Sequence, residues 1–261
     1  IPVIDSNFKF DVYLHHGLNL VTGKAGVGKS FLINRLSNLL PNNSIVKLSP
    51  TAIAAINING QTIHSFFRLP PYLFDPSDNA YVTKDAKFSS IDVLVIDEIS
   101  MVPGYIIDAI DRILRENNDS HSIFGGVVIL AFGDLLQLAP IPSQDKDAKE
   151  FIDHNYNGSY WFFDAKVFDD DPPLNNIFTT IFPAIISYSK RHKNSSFIHF
   201  LDMFRKGDVD DPELFNEIAS KICNNLQKKE TTHLVTTNEK AKSNNFSELE
   251  KIDADNFLFE A

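Results

Sequence analysis

A parallel α/β sheet with helices packed against it is the fold class this 261-residue chain predicts, on three grounds. Short runs at 17–22, 45–48, 93–96 and 127–132 have strand length, and stretches with apolar residues at helical spacing separate them. The last two runs are continuously apolar, as strands buried on both faces require. A glycine-rich turn joins the first strand to the first helix, and strands that alternate with helices pair in parallel because the crossovers cover both sheet faces.

Taken in order, Gly17–Thr22 reads as the first strand. Ser30 to Leu40 follows as a helix carrying Leu32, Ile33, Leu36, Leu39 and Leu40, and Pro41-Asn42-Asn43 stops it. Ile45–Leu48 is the second strand, Val93–Ile96 the third and Val127–Phe132 the fourth. Between the last two, Ile106, Ile107, Ile110, Ile113 and Leu114 repeat the pattern of a core-facing helix. Residues 69–90 and 142–176 are richer in Pro, Asp, Ser and aromatics and read as insertions. Asp211-Pro212-Glu213 opens a further helix, with Asp as cap and Pro in the first turn, continued by Leu214, Phe215, Ile218 and Ile222. His233–Thr237 then reads as a new strand. The expected division is one complete domain over 1–229 and the start of a second over 230–261.

Apolar residues make up 43% of the chain and no apolar run approaches the roughly eighteen residues of a membrane helix, so no membrane partner is expected. Ile1 to Asp5 lacks the basic and apolar blocks of a signal peptide. A single cysteine, Cys223, excludes an internal disulfide framework and suits a reducing compartment: the cytoplasm of a bacterium, or the nucleus or mitochondrion of a eukaryote. His15-His16 and His192/His199 have no thiolate or carboxylate at ligand spacing, so zinc is not expected. The formal charge of −10 argues against a polyanionic partner, but it is unevenly spread: residues 1–70 carry +4, residues 71–180 −12 and residues 181–261 −2. Fields are screened within about 8 Å in physiological salt, so the first seventy residues can still present an anion-binding surface.

Gly23-Lys24-Ala25-Gly26-Val27-Gly28-Lys29-Ser30 satisfies G-x-x-x-x-G-K-[ST] between a strand and a helix. In that setting the backbone N–H groups, with those of Phe31 beyond them, cradle phosphates; Lys29 reaches the β- and γ-phosphates and the Ser30 hydroxyl ligates magnesium. Asp97-Glu98 ends the third strand at its carboxyl end, where α/β sheets place ligands. Asp97 there can hold the metal and Glu98 can polarise a water for attack on the γ-phosphate; the bland alternative is a surface acidic pair opening a helix. Together the two motifs indicate magnesium-dependent (Mg2+) nucleoside-triphosphate hydrolysis, without saying which triphosphate it uses or what it drives.

Four further stretches bear on that question. They are Ser49 to Asn57 running on to Gly60-Gln61-Thr62-Ile63-His64-Ser65-Phe66-Phe67; Asp97-Glu98-Ile99-Ser100-Met101-Val102; Gly125-Gly126 through Gly133-Asp134-Leu135-Leu136-Gln137-Leu138-Ala139-Pro140; and Tyr160 to Phe168. Arg191 with Phe197, Leu201, Arg205 and Gly207 completes the set. With the phosphate loop, in this order, they resemble the petite-integration-frequency (Pif) DNA helicases of the RecD-like branch of helicase superfamily one. The resemblance implies a RecA-like P-loop NTPase domain followed by the start of a second RecA-like domain. It implies an ATP-dependent DNA helicase motor moving 5′ to 3′, with single-stranded DNA and single-strand/duplex junctions as partners and a monomeric state. It assigns catalytic roles to Lys29, Asp97, Glu98, Gln137 as γ-phosphate sensor, and Arg191. The alternatives are a P-loop ATPase of another DNA-processing machine and a nucleotide-gated DNA-binding module without unwinding activity.

The chain departs from the family in places. His192 stands where the family usually has Gln after the arginine, no glutamine precedes Gln61 to read adenine, and the second-domain motifs with their arginine finger are missing. Because such a finger supplies roughly 10³–10⁵ in rate, the 261 residues alone are expected to hydrolyse ATP weakly.

A motor that grips single strands without reading sequence needs hydroxyls and backbone N–H groups for phosphates and aromatic faces for bases. Thr51, Thr62, His64, Ser65 and Phe66 offer those types within the +4 segment, and Pro50 joins them as part of the stretch that carries the resemblance. On residue types alone, Ala52 to Ile56 also suits an ordinary helix packing on the sheet, with His64 in the core; the resemblance favours DNA contact. Leu69-Pro70-Pro71-Tyr72-Leu73-Phe74 sits where related helicases carry a strand-separating pin, and equally suits a loop that packs its aromatics. The aromatic cluster at 160–168 reads mainly as core.

Overall fold

The computed structural model describes residues 15–24, 26–40, 44–169 and 237–251, the backbone of 3–4 and 181–186, and residues 205, 212, 213, 216, 217, 220 and 235. The described strands are β1 (Val3–Ile4), β2 (Gly17–Thr22), β3 (Ile45–Ser49), β4 (Gln61–Thr62), β5 (Val93–Ile96), β6 (Val128–Gly133) and β7 (Ile181–Ile186). They form one sheet in the order β1-β7-β2-β6-β5-β3-β4, parallel at every described pairing, as the alternation of elements predicts. The described helices are α1 (Lys29–Leu39), α2 (Ala52–Asn57), α3 (Ile63–Phe67), α4 (Ala86–Ser89), α5 (Gly104–Asn118), α6 (Lys146–Tyr156) and α7 (Asn238–Leu249).

Burial on both faces explains the continuous apolar runs. Alternate strand residues feed two cores: Leu18, Leu20, Leu94, Ile96, Ile129 and Ala131 enter one, and Val21, Val93, Val95, Leu130 and Phe132 the other. The first core takes Ile106, Ile107, Ile110, Ile113 and Leu114 of α5, and the second takes Ile33 and Leu36 of α1. The central strands are thus covered by helices on both sides.

Register decides what sits together at the carboxyl edge. Leu48, Ile96 and Ala131 lie side by side on β3, β5 and β6; Thr22 pairs with Gly133, and Ser49 with Thr62. The segments leaving β2, β6, β5, β3 and β4 therefore emerge as neighbours along one edge. Gly133 is required there: a Cβ on it would come within 2.8 Å of Ile99 Cγ2, so only glycine lets the end of β6 pack against the turn that follows β5.

Aromatics of both stretches read as insertions join the core. Leu69, Phe74 and Phe88 are buried, as are Ile152 and Tyr156 of α6 and Phe162, Val167 and Phe168. Phe74 packs on Tyr81 and Tyr105, and Tyr72 stays exposed. Asp108 on α5 accepts hydrogen bonds from the Tyr156 hydroxyl (2.8 Å) and from the amides of Lys166 and Val167. The other insertion is fastened by Asn117, whose amide donates to Thr83 O and Ile113 O while its Oδ1 accepts from the Asp85 amide.

The chain divides into two compact units, Ile1–Asp208 and Val209–Ala261, so the division falls ahead of residue 229. Of the helix predicted from Asp211, only Pro212, Glu213, Asn216, Glu217 and Ser220 are described, and all are helical. The strand predicted at 233–237 lies largely outside the described residues, as do Cys223, His192 and His199.

Candidate active site

The glycine-rich loop leaves β2 and enters α1 through Gly28, whose φ of 97° lies in the left-handed region that favours glycine. As N-cap, Gly28 brings no capping side chain and the first turn of α1 holds no acidic residue, so no side chain of the helix competes for its first N–H groups. Val27 is buried in the core beneath the loop, which leaves its backbone to face a ligand. Ala25 lies outside the described residues. Phe31 is exposed at the start of α1, with the Arg35 guanidinium 5.6 Å from its ring centroid.

Lys29 is the electrostatic centre of the site. Its Nζ donates to Gly23 O at 2.8 Å and to Lys24 O at 3.4 Å. Burial pushes the ammonium below its ordinary value, and the negative charges of Asp134, Glu98 and Asp97 oppose that push. The charges of three carboxylates from the ends of two neighbouring strands thus act on one lysine.

Asp97 directly follows β5 and is only 3% exposed. Burial, then the charge of Glu98, pushes its carboxyl up to about 6, against a hydrogen bond from the Glu98 amide and the charge of Lys29. Glu98 adopts a left-handed backbone (φ 53°) that breaks the strand's alternation and starts a 3-10 turn at Ile99–Met101. Ser100 in that turn and Ser49 at the end of β3 are fully buried, and their hydroxyls have no hydrogen-bond partner among the described residues.

Asp134 directly follows β6 and is 0% exposed. Arg205 clamps it: Nε donates to Oδ2 at 2.8 Å and to Oδ1 at 3.1 Å, and Nη2 donates to Oδ1 at 2.9 Å. Burial alone would raise the Asp134 carboxyl, but the Arg205 hydrogen bonds, the Leu136 amide and the charges of Arg205 and Lys29 outweigh it and hold it below its ordinary value. Gln137 is exposed, and its Nε2 donates to Asp134 Oδ2 at 3.2 Å. Arg191 lies outside the described residues. Neither Asp134 nor Arg205 was among the predicted site residues, although Asp134 carries the same signal as Asp97: an acid immediately after a continuous apolar strand.

The donors present suit magnesium. A serine hydroxyl at the start of α1 and a buried carboxylate whose ionisation is opposed by a neighbouring acid are hard oxygen ligands of the kind Mg2+ combines with nucleotide phosphates.

Farther along the same edge, the predicted nucleic-acid residues are placed differently. Thr51 caps α2, its Oγ1 accepting from the Ala54 amide, and Thr62 caps α3, its Oγ1 accepting from the Ser65 amide. Pro50 and His64 are half-buried, and burial pushes the His64 imidazole down, making it a neutral hydrogen-bonding group at pH 7. Ser65 is exposed. Phe66 corrects the expectation: at 8% exposure its ring meets Phe67 and Phe88 at 5.0 and 5.5 Å, with the Lys87 ammonium 4.7 Å from its centroid. As a core ring it offers no free face for a base. The helix at 52–57 is present, but Ala55 is its one buried residue, and Ile53 and Ile56 are 77% and 73% exposed.

The chain is similar to known proteins. A family model described as PIF1-like helicase matches residues 9–214. The ATP-dependent DNA helicase Pif1 of Campylobacter jejuni is 32% identical over 97% of this chain and 56% of its own length. The ATP-dependent DNA helicase PIF1 of Saccharomyces cerevisiae is 28% identical over 73% of this chain and 21% of its own. A crystal structure of a Pif1 helicase from Bacteroides, in complex with ADP-AlF3 and single-stranded DNA, superposes with a TM-score of 0.72 at 29% identity, covering 92% of this chain and 55% of that one. The chain therefore spans about half or less of the length of these relatives. Its fold is that of their RecA-like motor domain, and with a family match over most of its length the chain belongs to the PIF1-like helicases.

Proposed function

We propose that this chain is the nucleotide-binding part of an ATP-dependent DNA helicase, a motor that couples hydrolysis to 5′-to-3′ movement on single-stranded DNA and to opening of the adjoining duplex. The observation that carries the reading is the convergence of Asp97, Glu98 and Asp134 on Lys29 at the mouth of a glycine loop, with Thr51 and Thr62 emerging from the next strands along. Family membership and the Bacteroides relative captured with ADP-AlF3 and single-stranded DNA support it.

On this reading the loop amides and the N-terminus of α1 bind the triphosphate, and Lys29 exchanges its carbonyl partners for phosphate oxygens. Ser30 and Asp97 would hold magnesium, which would supply neutralisation of phosphate charge. Glu98 orients and deprotonates the attacking water. Gln137 and Arg191 report the γ-phosphate toward the nucleic-acid side, where Pro50, Thr51, Thr62, His64 and Ser65 line the strand's path.

The test is an unwinding assay on the complete gene product with 5′-tailed and 3′-tailed duplexes, using Glu98→Gln as control. ATP-dependent opening of the 5′-tailed substrate alone is expected, with none from Glu98→Gln. Equal opening of both substrates would remove the polarity, and opening without ATP would remove the motor.

A further inference from the structure

The fully buried carboxylate of Asp134 has an unusual set of partners for a residue beside a nucleotide site. A buried, unpaired carboxylate costs several kcal/mol, so Asp134 requires a counter-ion, and next to Asp97 and Glu98 it would add a third negative charge around Lys29. Arg205, seventy-one residues along the chain, supplies the counter-ion in forked geometry: three N–H···O contacts of 2.8 to 3.1 Å engage both carboxylate oxygens. A lysine is a point charge and cannot fix the plane of the carboxylate in this way.

What remains of Asp134 is spent on the turn after β6. Its Oδ1 accepts from the Leu136 amide at 3.2 Å, its Oδ2 from Gln137 Nε2 at 3.2 Å, and its backbone carbonyl from the Gln137 amide at 3.0 Å. Asp134 is therefore saturated, unlike Asp97, whose carboxylate accepts, among the described residues, from the adjacent Glu98 amide. The exposed side chain of Gln137, which would otherwise sample many rotamers, is tied through Asp134 to Arg205.

We propose that Arg205 is a positioning residue for hydrolysis: by orienting the Asp134 carboxylate it fixes the 134–137 turn and presents Gln137 to the γ-phosphate, while keeping Asp134 out of the metal's ligand set. The inference rests on reading the Lys29 loop as the triphosphate site. Arg205 acts through Asp134 and Gln137 and does not itself touch the reacting atoms.

The test uses the complete gene product and reads ATP affinity by calorimetry, kcat from steady-state hydrolysis and thermal stability. It compares Arg205→Lys, Gln137→Ala, the Arg205→Lys/Gln137→Ala pair and the Arg205→Met/Asp134→Leu pair. Arg205→Lys is expected to lower kcat about tenfold or more with ATP affinity within about twofold of wild type. Adding Gln137→Ala to it should cost little more, because the two act as a unit. The Arg205→Met/Asp134→Leu pair removes the buried carboxylate together with its half-buried counter-ion, so it should keep a melting temperature near wild type while kcat stays low. Recovery of kcat along with stability in that pair would reduce Arg205 to a structural role and overturn the proposal, as would independent, multiplying losses from Arg205→Lys and Gln137→Ala. Lys29→Ala separates the two levels. If it leaves ATP binding intact, the nucleotide reading falls and takes this inference with it; if it abolishes binding while Arg205→Lys keeps full kcat, the inference alone falls.

Discussion

At the β2, β6 and β5 part of the sheet's carboxyl edge, charged side chains converge on Lys29. At the adjoining β3 and β4 part, the threonines offered to nucleic acid are bound to their own helices and the phenylalanine is in the core. The first region carries side chains whose arrangement has little structural purpose: Asp97 is a buried carboxyl pushed up to about 6, and Glu98 holds a left-handed backbone. The second consists of residues that each do something for the fold. On the proposed reading, one edge of the sheet thus supports two kinds of site, one assembled at the expense of stability and one grafted onto helix caps that stability already requires.

The sharpest way to break this contrast is Lys29→Ala. It should reduce ATP affinity by on the order of 10²-fold or more while the melting curve barely moves, since among the described residues Lys29 donates to loop carbonyls alone; unchanged affinity by calorimetry would place the nucleotide elsewhere. Glu98→Gln follows, with a turnover loss of roughly 10²–10⁴ at retained ATP affinity, as removal of a general base predicts. On the other side of the comparison, Phe66→Ala should cost about 3–5 kcal/mol of stability in chemical denaturation. Its affinity for single-stranded DNA, measured where the variant is still folded, should be unchanged; a stability-neutral loss of DNA binding would restore Phe66 as a stacking face. Thr51→Ala should lose about 1 kcal/mol through its cap, and Thr51→Ser should recover it. If Thr51→Ser binds DNA as wild type does while Thr51→Ala does not, the hydroxyl serves both ends.

The smallest effect is in pH. Asp134 is held below its ordinary value, so its pairing contributes stability that is present above the unfolded carboxyl value of about 3.9 and lost as the pH falls through its folded value. The melting temperatures of wild type and Asp134→Asn should differ at neutral pH and converge in strong acid. A constant gap down to pH 2 would mean that the carboxylate charge is not what stabilises the pair.

Much of this was legible in the residues, for physical reasons that differ by region. Strands β5 and β6 could be read because both faces are buried and every position had to be apolar, and the phosphate loop because its glycines, lysine and serine follow from the geometry of binding a phosphate. The two-residue strands β1 and β4 left no periodicity to detect, and β7 contains Pro183, which argues against a central strand. The 69–74 stretch suited a projecting pin and a packed loop equally, because aromatic residues alone do not say which way the rings face; Phe74 turned inward and Tyr72 outward. The pairing of Arg205 with Asp134 across seventy-one residues is a fact of the tertiary structure, and only the chemistry of a buried acid pointed to the need for such a partner.

The most direct test of the account is ATP turnover by the complete gene product with and without single-stranded DNA. The account predicts that saturating oligonucleotide raises kcat severalfold or more in wild type, and that Ser65→Ala, at an exposed position of the nucleic-acid side, raises the oligonucleotide concentration needed without lowering the kcat reached. Turnover indifferent to single-stranded DNA would contradict the claim that the two parts of the sheet's edge work as one motor.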